Sequence, residues 1–262
     1  LAITSLFIFS LIGYIYYRFS VNVYLSIIIF VCFGLYMFSF TGLRQAIAFS
    51  ITFFSFKFIV ERKIKHFLVS VFLAFSIHSS AIIYFFVWPL WNIRHTNKLA
   101  ISLLGITFLL LPFYGAIFSF VVPLLFREKY LTYMNGGSAI NLIILYLFIY
   151  LLPLFIKTND FSVKNDIYKN NLELQIENFI RWMAYCSFLF QSLGLIGGDS
   201  ITRIAFYFSV FLPLYIPIIF KRAKFKSLIY TCITILFIAF FYHDTSKEFY
   251  NIVPYIFFWE LI

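Results

Sequence analysis

The sequence has 262 residues, of which 63% are hydrophobic and 11% are charged, and its mean hydropathy is +0.96. In soluble globular domains about a quarter of the residues are charged. This composition therefore excludes a soluble globular domain and indicates an integral membrane protein. The net charge of +10 does not favour a nucleic-acid-binding protein, because the basic residues cluster in short connections between apolar runs. That pattern is typical of membrane orientation.

Apolar runs of about twenty residues match the length of a helix that crosses the bilayer, and they lack the strict alternation of a lipid-facing barrel. We predict an all-α transmembrane bundle of about eight to ten segments, forming a single integral membrane domain over 1–262. Because the chain begins at Leu1 and directly in an apolar run, we expect its natural start to lie upstream. The predicted segments are 1–17, 20–41, 44–60, 67–91, 99–126, 139–156, 179–196, 203–220 and 227–242, with an aromatic tail at 249–262.

The basic connections conflict if every segment crosses the membrane once. Both ERKIKH at 61–66 and the basic connection 92–98 favour the cytoplasmic side, but a single crossing by 67–91 would separate them. Either the positive-inside rule fails at one of them, or 67–91 is a broken, re-entrant element that returns near His78. Irregular backbone at that depth requires surrounding protein or a water-filled cavity.

The re-entrant interpretation is favoured because it makes the remaining connections consistent. It places the polar connection 157–178 and the basic connection 221–226 on the cytoplasmic side. It also predicts that Arg44, the loop around Tyr130 and the segment 199–203 share the external face.

Two polar residues stand out within apolar segments. Arg44 opens one segment in TGLRQAIAFS, and His78 lies midway through the next in LAFSIHSSAIIYF. Since lipid offers such groups no hydration, we expect them to face the protein interior or a wet cavity. The alternatives are that Arg44 extends to the lipid headgroups and that His78 donates a structural hydrogen bond.

A third polar group lies in GGDSITRIAFYFSVFLPLYIP at 197–217. Asp199 precedes an apolar helix, where it could cap backbone N–H groups. Arg203 and Tyr207 then lie one turn apart on one face, and Pro213 and Pro217 predict a bend further along. The alternative is a capped helix with an interfacial arginine and tyrosine.

The motifs of several enzyme classes are absent from the sequence. The sequence has no Gly-rich phosphate loop of the Walker type, no HExxH motif, no Cys/His cluster and no GxSxG elbow. It therefore gives no support to ATP hydrolysis or zinc proteolysis.

Four stretches, in this order and spacing, resemble the EpsG-like branch of the Wzy family of polysaccharide polymerases. The resemblance implies assembly of a bacterial surface polysaccharide (O-antigen, capsule or exopolysaccharide) on the extracytoplasmic face of the cytoplasmic membrane. The four stretches are TGLRQAIAFS at 41–50, ERKIKHFLVSVFLAFSIHSSAIIYF at 61–85, RIAFYFSVFLPLYIP at 203–217 and IVPYIFFWEL at 252–261.

The resemblance also implies the reactants. The donor would be an oligosaccharide repeat unit linked to a polyprenyl diphosphate, the acceptor would be a sugar hydroxyl, and no metal or nucleotide cofactor would be required. The partners would be the lipid bilayer and other membrane proteins of polysaccharide assembly.

The matching positions supply candidate site residues. Arg44 and Arg203 would stabilise the departing diphosphate, because a guanidinium group is a fixed positive fork that matches phosphate oxygens. His78 would accept the proton of the acceptor hydroxyl, with Asp199 as the other candidate base. Catalytic roles are thus expected for Arg44, His78 and Arg203, and substrate-binding roles for Gln45 and Tyr207. Outside the matching stretches, Asp199 and Tyr130 are further substrate-binding candidates, Tyr130 because its short external loop combines charge, aromatic rings and glycines and could close over a sugar.

Two other functions fit the same composition. A transporter or flippase for lipid-linked oligosaccharides would use arginines to hold phosphate during passage, and broken helices are typical of that class. A membrane acyltransferase would also use an embedded histidine.

Overall fold

The computed structural model describes residues 2–114, 140–155, 171–221, 223 and 225–245, without the side chains of 196–197, 199–200 and 244–245. Every regular element within these ranges is a helix, so the predicted all-α class is confirmed. The elements are α1 Ala2–Phe19, α2 Val23–Cys32, α3 Leu35–Thr41, α4 Leu43–Val60, α5 Ile64–Ile77, the 3-10 helix Ser79–Asn92 (the 3-10 arm), α6 Asn97–Leu110 with a short 3-10 turn Leu111–Phe113, α7 Ile140–Phe155, α8 Leu172–Ser209, α9 Leu212–Ile219 and α10 Lys226–Thr245.

Membrane-length helices are present, as the composition predicts. Within the described ranges, Ala2–Phe19, Leu43–Val60 and Lys226–His243 are each long and apolar enough to cross a membrane. Two further helix pairs qualify if each bent pair counts as one span, and both pairs are bent by 51°. The described part of the chain therefore holds three to five candidate spans by length and composition.

The two bends have local causes. Between α2 and α3 the chain passes through Gly34 at φ 78, a left-handed conformation that glycine adopts without a steric penalty. Between α8 and α9 the helix restarts with Pro213 in its first turn, where the missing N–H costs nothing. The predicted segment 20–41 is therefore broken, and the predicted segment 203–220 carries a bend near Pro213, as expected from that proline.

Helix α8 reverses direction at Gly198. This residue has φ 63 and ψ −160, a region that is essentially restricted to glycine. The rings of Phe190 and Phe208, on either side of it, stack with centroids 5.2 Å apart. Further along, the Lys221 ammonium pairs with Glu177 at 2.8 Å, near the start of α8. The predicted segments 179–196 and 203–220 are thus two arms of a hairpin.

A second return of the chain occurs at His78. This residue is extended (φ −146, ψ 117) and separates α5 from the 3-10 arm. The arm leads back to the start of α5, because Arg62 donates to the Asn92 side chain at 2.9 Å and its guanidinium lies 5.2 Å from the Trp91 ring. The break and the return predicted for 67–91 are therefore both present.

The 3-10 arm packs along a face with a period of three. Its buried residues include Ala81, Tyr84 and Val87, and three residues per turn is the period of a 3-10 helix. At about 2.0 Å per residue, its 14 residues span about 28 Å, whereas the 14 residues of α5 span about 21 Å as an α-helix. The arm consequently reaches past the start of α5.

Helix α4 lies at the centre of the bundle and packs against α1, α5 and α8. Its buried face carries small residues such as Ala48, Thr52 and Ser55, which allow close approach of neighbouring helices. The hydroxyls of Thr52 and Ser55 bond to backbone carbonyls three residues earlier in the same helix, at 2.9 and 2.6 Å. Packing therefore proceeds without an unpaired hydroxyl at these two positions.

The basic connections meet at one end of the bundle, which we call the basic end. Arg18 at the end of α1 pairs with Glu61 at 3.5 Å, next to the Arg62–Asn92 contact. The start of α8 joins the segment after the 3-10 arm, and Lys221 joins the start of α8. The first turn of α4 and the reversal at Gly198 lie at the opposite end, which we call the site end.

Candidate functional site

Gln45 joins the two elements that carry the candidate arginines. Its side-chain amide donates to the backbone carbonyl of Arg203 at 2.6 Å, and only 3% of Gln45 is exposed. Arg44, its neighbour in the first turn of α4, and Arg203 in the second arm of α8 both have exposed side chains. One buried contact therefore joins the backbones of the two distant segments that carry these guanidinium groups.

His78 lies at the break between α5 and the 3-10 arm and is half-buried. Its Nδ1 is 2.7 Å from the Ser80 hydroxyl, which donates to the Tyr207 hydroxyl at 3.0 Å. The Tyr207 oxygen is 3.5 Å from the same Nδ1. The extended backbone of His78 makes this possible, because it turns the first residues of the arm back toward the ring.

The arginines and the histidine act on one another electrostatically. Arg44 and Arg203 both lie close enough for their positive charges to act on the His78 imidazole. Tyr207, one turn beyond Arg203, completes the connection between α8 and the tip of the arm. The structure thus brings together five of the seven predicted residues, which are Arg44, Gln45, His78, Arg203 and Tyr207.

The other two predicted residues are not located by their side chains. The backbone of Asp199 directly follows the Gly198 reversal at the site end, but its side chain lies outside the described residues. Tyr130 lies outside them entirely.

Ser80 is a site residue that the sequence did not single out. It is the second residue after His78 in IHSS, and in a continuous helix its side chain would point about 200° away from the histidine. The break in the chain at His78 removes that separation and places the hydroxyl against Nδ1. A break in the helix next to a histidine is therefore the signal that would have identified it.

Exposed arginines at this end restrict what can lie beside them. A guanidinium group at the centre of the bilayer costs about 2.5–3.5 kcal/mol or more, so we expect Arg44 and Arg203 to lie beside water, lipid headgroups or a bound anion. Phosphate oxygens match the guanidinium fork in charge and geometry. The arrangement can hold a phosphate group beside an imidazole ring.

No group of three His, Cys, Asp or Glu side chains that could hold a metal occurs in the described part.

A separate polar cluster lies at the basic end. Arg181, only 1% exposed, donates to the His95 carbonyl at 3.2 Å and to the Asn97 side chain at 2.8 Å. His95 is fully buried, and its Nε2 is 3.1 Å from the Tyr150 hydroxyl. Arg181 is therefore not a surface arginine at a helix end, although its position near the start of α8 suggests one.

Two neighbours of Arg181 bind the same stretch of backbone. Asn178 accepts a hydrogen bond from the His95 N–H and donates to the Ile93 carbonyl at 3.0 Å, and the Trp182 indole donates to the same carbonyl at 2.7 Å. We call Asn178, Arg181 and Trp182 the arm clamp. The clamp fixes the far end of the 3-10 arm to the first arm of α8, while Tyr207 holds its tip.

The fold and the site together define a helical membrane protein in which broken elements bring two arginines and a histidine to one end of the bundle. The chain belongs to the EpsG family, whose family model matches residues 1–257. Membership in this family makes it a membrane protein of polysaccharide biosynthesis. Neither a curated protein nor a solved structure gave a match.

Proposed function

We propose that the protein polymerises lipid-linked oligosaccharide repeat units into a bacterial surface polysaccharide. In this reaction the acceptor sugar hydroxyl bonds to the anomeric carbon of the donor. The bond between that carbon and the polyprenyl diphosphate breaks, and the lipid diphosphate departs as an anion. The observation that carries the proposal is the convergence of Arg44, His78 and Arg203 from three distant segments at one end of the bundle.

Arg44 and Arg203 stabilise the departing diphosphate. Both side chains are exposed, and the Gln45 bond to the Arg203 carbonyl holds together the two backbone segments that carry them. One preorganised donor to developing negative charge lowers the barrier by about 3–4 kcal/mol. Two guanidinium groups supply fixed positive charge, so the reaction as proposed needs no metal ion.

His78 accepts the proton of the acceptor hydroxyl. The His78 ring is partly exposed, and it lies close to the two arginines. In the proposed reaction it is therefore next to the diphosphate that the arginines hold. Asp199, which follows the reversal at the same end, is the second candidate base, and Tyr130 stays a proposed contact to the sugar. Gln45, a proposed substrate contact, also holds together the backbones that carry the two arginines, since its amide donates to the Arg203 carbonyl.

The site faces the extracytoplasmic side of the bacterial cytoplasmic membrane. Support comes from the basic end, where Arg18, the connection at 61–63 and Lys221 gather. Short basic connections favour the cytoplasmic side, which leaves Arg44 and Arg203 on the opposite one. The polyprenyl tail then lies in the bilayer with its diphosphate at the level of the arginines.

A detergent assay tests the proposal directly. Purified protein is incubated with lipid-linked repeat units, and the length of the product is measured by gel electrophoresis. We expect long polymer from the natural protein, and no long polymer from Arg44→Ala or Arg203→Ala at equal protein amounts and the same incubation time. Arg18→Ala is the matched control, because it removes an exposed arginine from the basic end. Long polymer from either site variant would contradict the proposal.

A transporter of lipid-linked oligosaccharides is the second candidate. The bends at α2–α3 and α8–α9, together with the re-entrant arm, are features that transporters also use. The same assay separates the polymerase from the transporter. A polymerase extends chains in detergent, whereas a transporter forms no glycosidic bond and leaves the repeat units unchanged.

A further inference from the structure

His78 Nδ1 and the hydroxyls of Ser80 and Tyr207 lie close together and share a limited number of protons. The Ser80 hydroxyl has one proton, and it is donated to the Tyr207 oxygen at 3.0 Å. The Ser80 oxygen nevertheless lies 2.7 Å from Nδ1. At that distance two lone pairs would repel each other, so one of the two atoms must present a proton to the other.

Since the Ser80 proton is already directed to Tyr207, the proton between Ser80 and His78 must belong to Nδ1. A neutral imidazole with a proton on Nδ1 has its lone pair on Nε2. No hydrogen bond of Nε2 to a described residue is present. We infer that Ser80 and Tyr207 are positioning residues that hold His78 in the Nδ1–H tautomer and leave Nε2 as the basic atom.

This inference rests on the proposed function for its catalytic meaning. The acceptor hydroxyl passes its proton to Nε2 as its oxygen bonds to the anomeric carbon and the diphosphate departs with the bonding electron pair. The ring is then an imidazolium whose Nδ1–H still donates to Ser80. The proton leaves Nε2 for the diphosphate or for water, which restores the neutral ring in the same tautomer.

The burial of Tyr207 supports a positioning role rather than a substrate contact. The residue is fully buried, and its hydroxyl oxygen accepts a hydrogen bond from Ser80. A sugar cannot reach it without opening the contact between the arm and α8. Its effect on the reaction therefore passes through Ser80 and His78.

Nitrogen NMR measures the tautomer without reference to activity. The protein is labelled with ¹⁵N-histidine in detergent micelles, and His78→Asn identifies the His78 signals among those of the four histidines. We expect a protonated Nδ1 and an unprotonated Nε2 at a pH where the ring is neutral. A ring that carries its proton on Nε2 would overturn the inference.

Tyr207→Phe tests the source of the preference. Without the tyrosine oxygen, the nearest acceptor for the Ser80 proton is Nδ1, so we expect a shift of the ring toward the Nε2–H form. Tyr84→Phe is the matched control, because Tyr84 is equally buried and its hydroxyl has no hydrogen-bond partner among the described residues. An unchanged tautomer in Tyr207→Phe would overturn the role of Tyr207.

Kinetics add a second readout. For Ser80→Ala and Tyr207→Phe we expect kcat to fall by about ten-fold or more, with little change in the KM for the lipid-linked donor, because the base is impaired and the arginines are not. Ser80→Thr, which keeps the hydroxyl, should restore kcat, and Ser76→Ala, which removes an exposed hydroxyl bonded within α5, should leave it unchanged. Natural kcat in Ser80→Ala would contradict the inference.

The two measurements fail independently. A protein with the Nδ1–H tautomer but without chain extension would refute the polymerase and keep the positioning inference. Chain extension by a protein with the Nε2–H tautomer would refute the positioning inference and keep the polymerase.

Discussion

The side-chain amide of Gln45 donates to the backbone carbonyl of Arg203 at 2.6 Å, although the two residues are 158 positions apart. This bond links the first turn of α4 to the second arm of α8. Because Arg44 precedes one partner and Arg203 is the other, the bond holds together the backbones that carry the two guanidinium groups.

Replacing Gln45 tests this link. In Gln45→Ala we expect a loss of about 0.5–1.5 kcal/mol in unfolding free energy, the typical net contribution of one hydrogen bond. Activity should fall further than stability, because both arginines lose their common anchor. Thermal unfolding in micelles and chain extension measure the two effects. Thr41→Ala, which removes an exposed hydroxyl bonded within its own turn, is the control and should change neither.

Substitution by lysine separates charge from shape at Arg44. Arg44→Ala should lower kcat by about 10²–10³, the usual effect of removing one donor to a developing anion. Arg44→Lys keeps the charge but loses the planar fork, so we expect it to recover little activity. Steady-state kinetics with the lipid-linked donor measure both variants. Recovery by lysine to natural activity would show that charge alone is sufficient.

The arm clamp should contribute strongly to stability. Arg181→Ala removes two charge-assisted bonds to the segment 95–97, each worth about 1.5–3 kcal/mol when buried. Arg18→Ala breaks an exposed ion pair, for which we expect about 0–1 kcal/mol. Denaturant or thermal unfolding compares them. A smaller effect for Arg181→Ala than for Arg18→Ala would show that the clamp does not hold the arm.

Gly198 should resist substitution. Its φ of 63 and ψ of −160 are unfavourable for any residue with a Cβ, so Gly198→Ala should cost about 1–3 kcal/mol and displace the reversal that precedes Arg203. Gly13→Ala is the matched control, since Gly13 is helical and a Cβ there would meet no atom within 4 Å. That variant should be neutral or stabilising by up to about 1 kcal/mol. Equal unfolding temperatures for the two variants would contradict this account.

Much of the architecture follows from features that the sequence states directly. Membrane-length apolar runs predict helices because unpaired backbone groups are costly in lipid. The conflict between the basic connections at 61–66 and 92–98 predicts the return at His78, because charge distribution reports which end of the bundle a connection occupies. Pro213 predicts the bend before α9, because its ring has no N–H to continue the helix.

Other features depend on contacts between distant segments and could not be read from the chain. The sequence does not reveal that the arm after His78 is a 3-10 helix, because its aromatic and apolar residues fit an α-helix as well. Arg181 looks like a surface arginine until the carbonyl of His95 is placed against it. Ser80 becomes a partner of His78 only through the break.

The candidate site shows the same division. Arg44, Gln45, His78, Arg203 and Tyr207 could be named from the sequence, and the structure places them at one end of the bundle. Their catalytic roles stay predictions. Tyr207 is buried and Arg203 is exposed, although they lie four residues apart in one helix, and the sequence alone does not distinguish them because one turn places both on the same face.

The 3-10 arm is held at both extremities, by Tyr207 at Ser80 and by the arm clamp at Ile93. One inserted or deleted residue between those points would change its reach by about 2 Å and rotate everything beyond it by a third of a turn. Ala81, Tyr84 and Val87 could then no longer all face the bundle. The length of the 3-10 arm is therefore constrained, and the arm tolerates new side chains of similar volume far better than a change in the number of its residues.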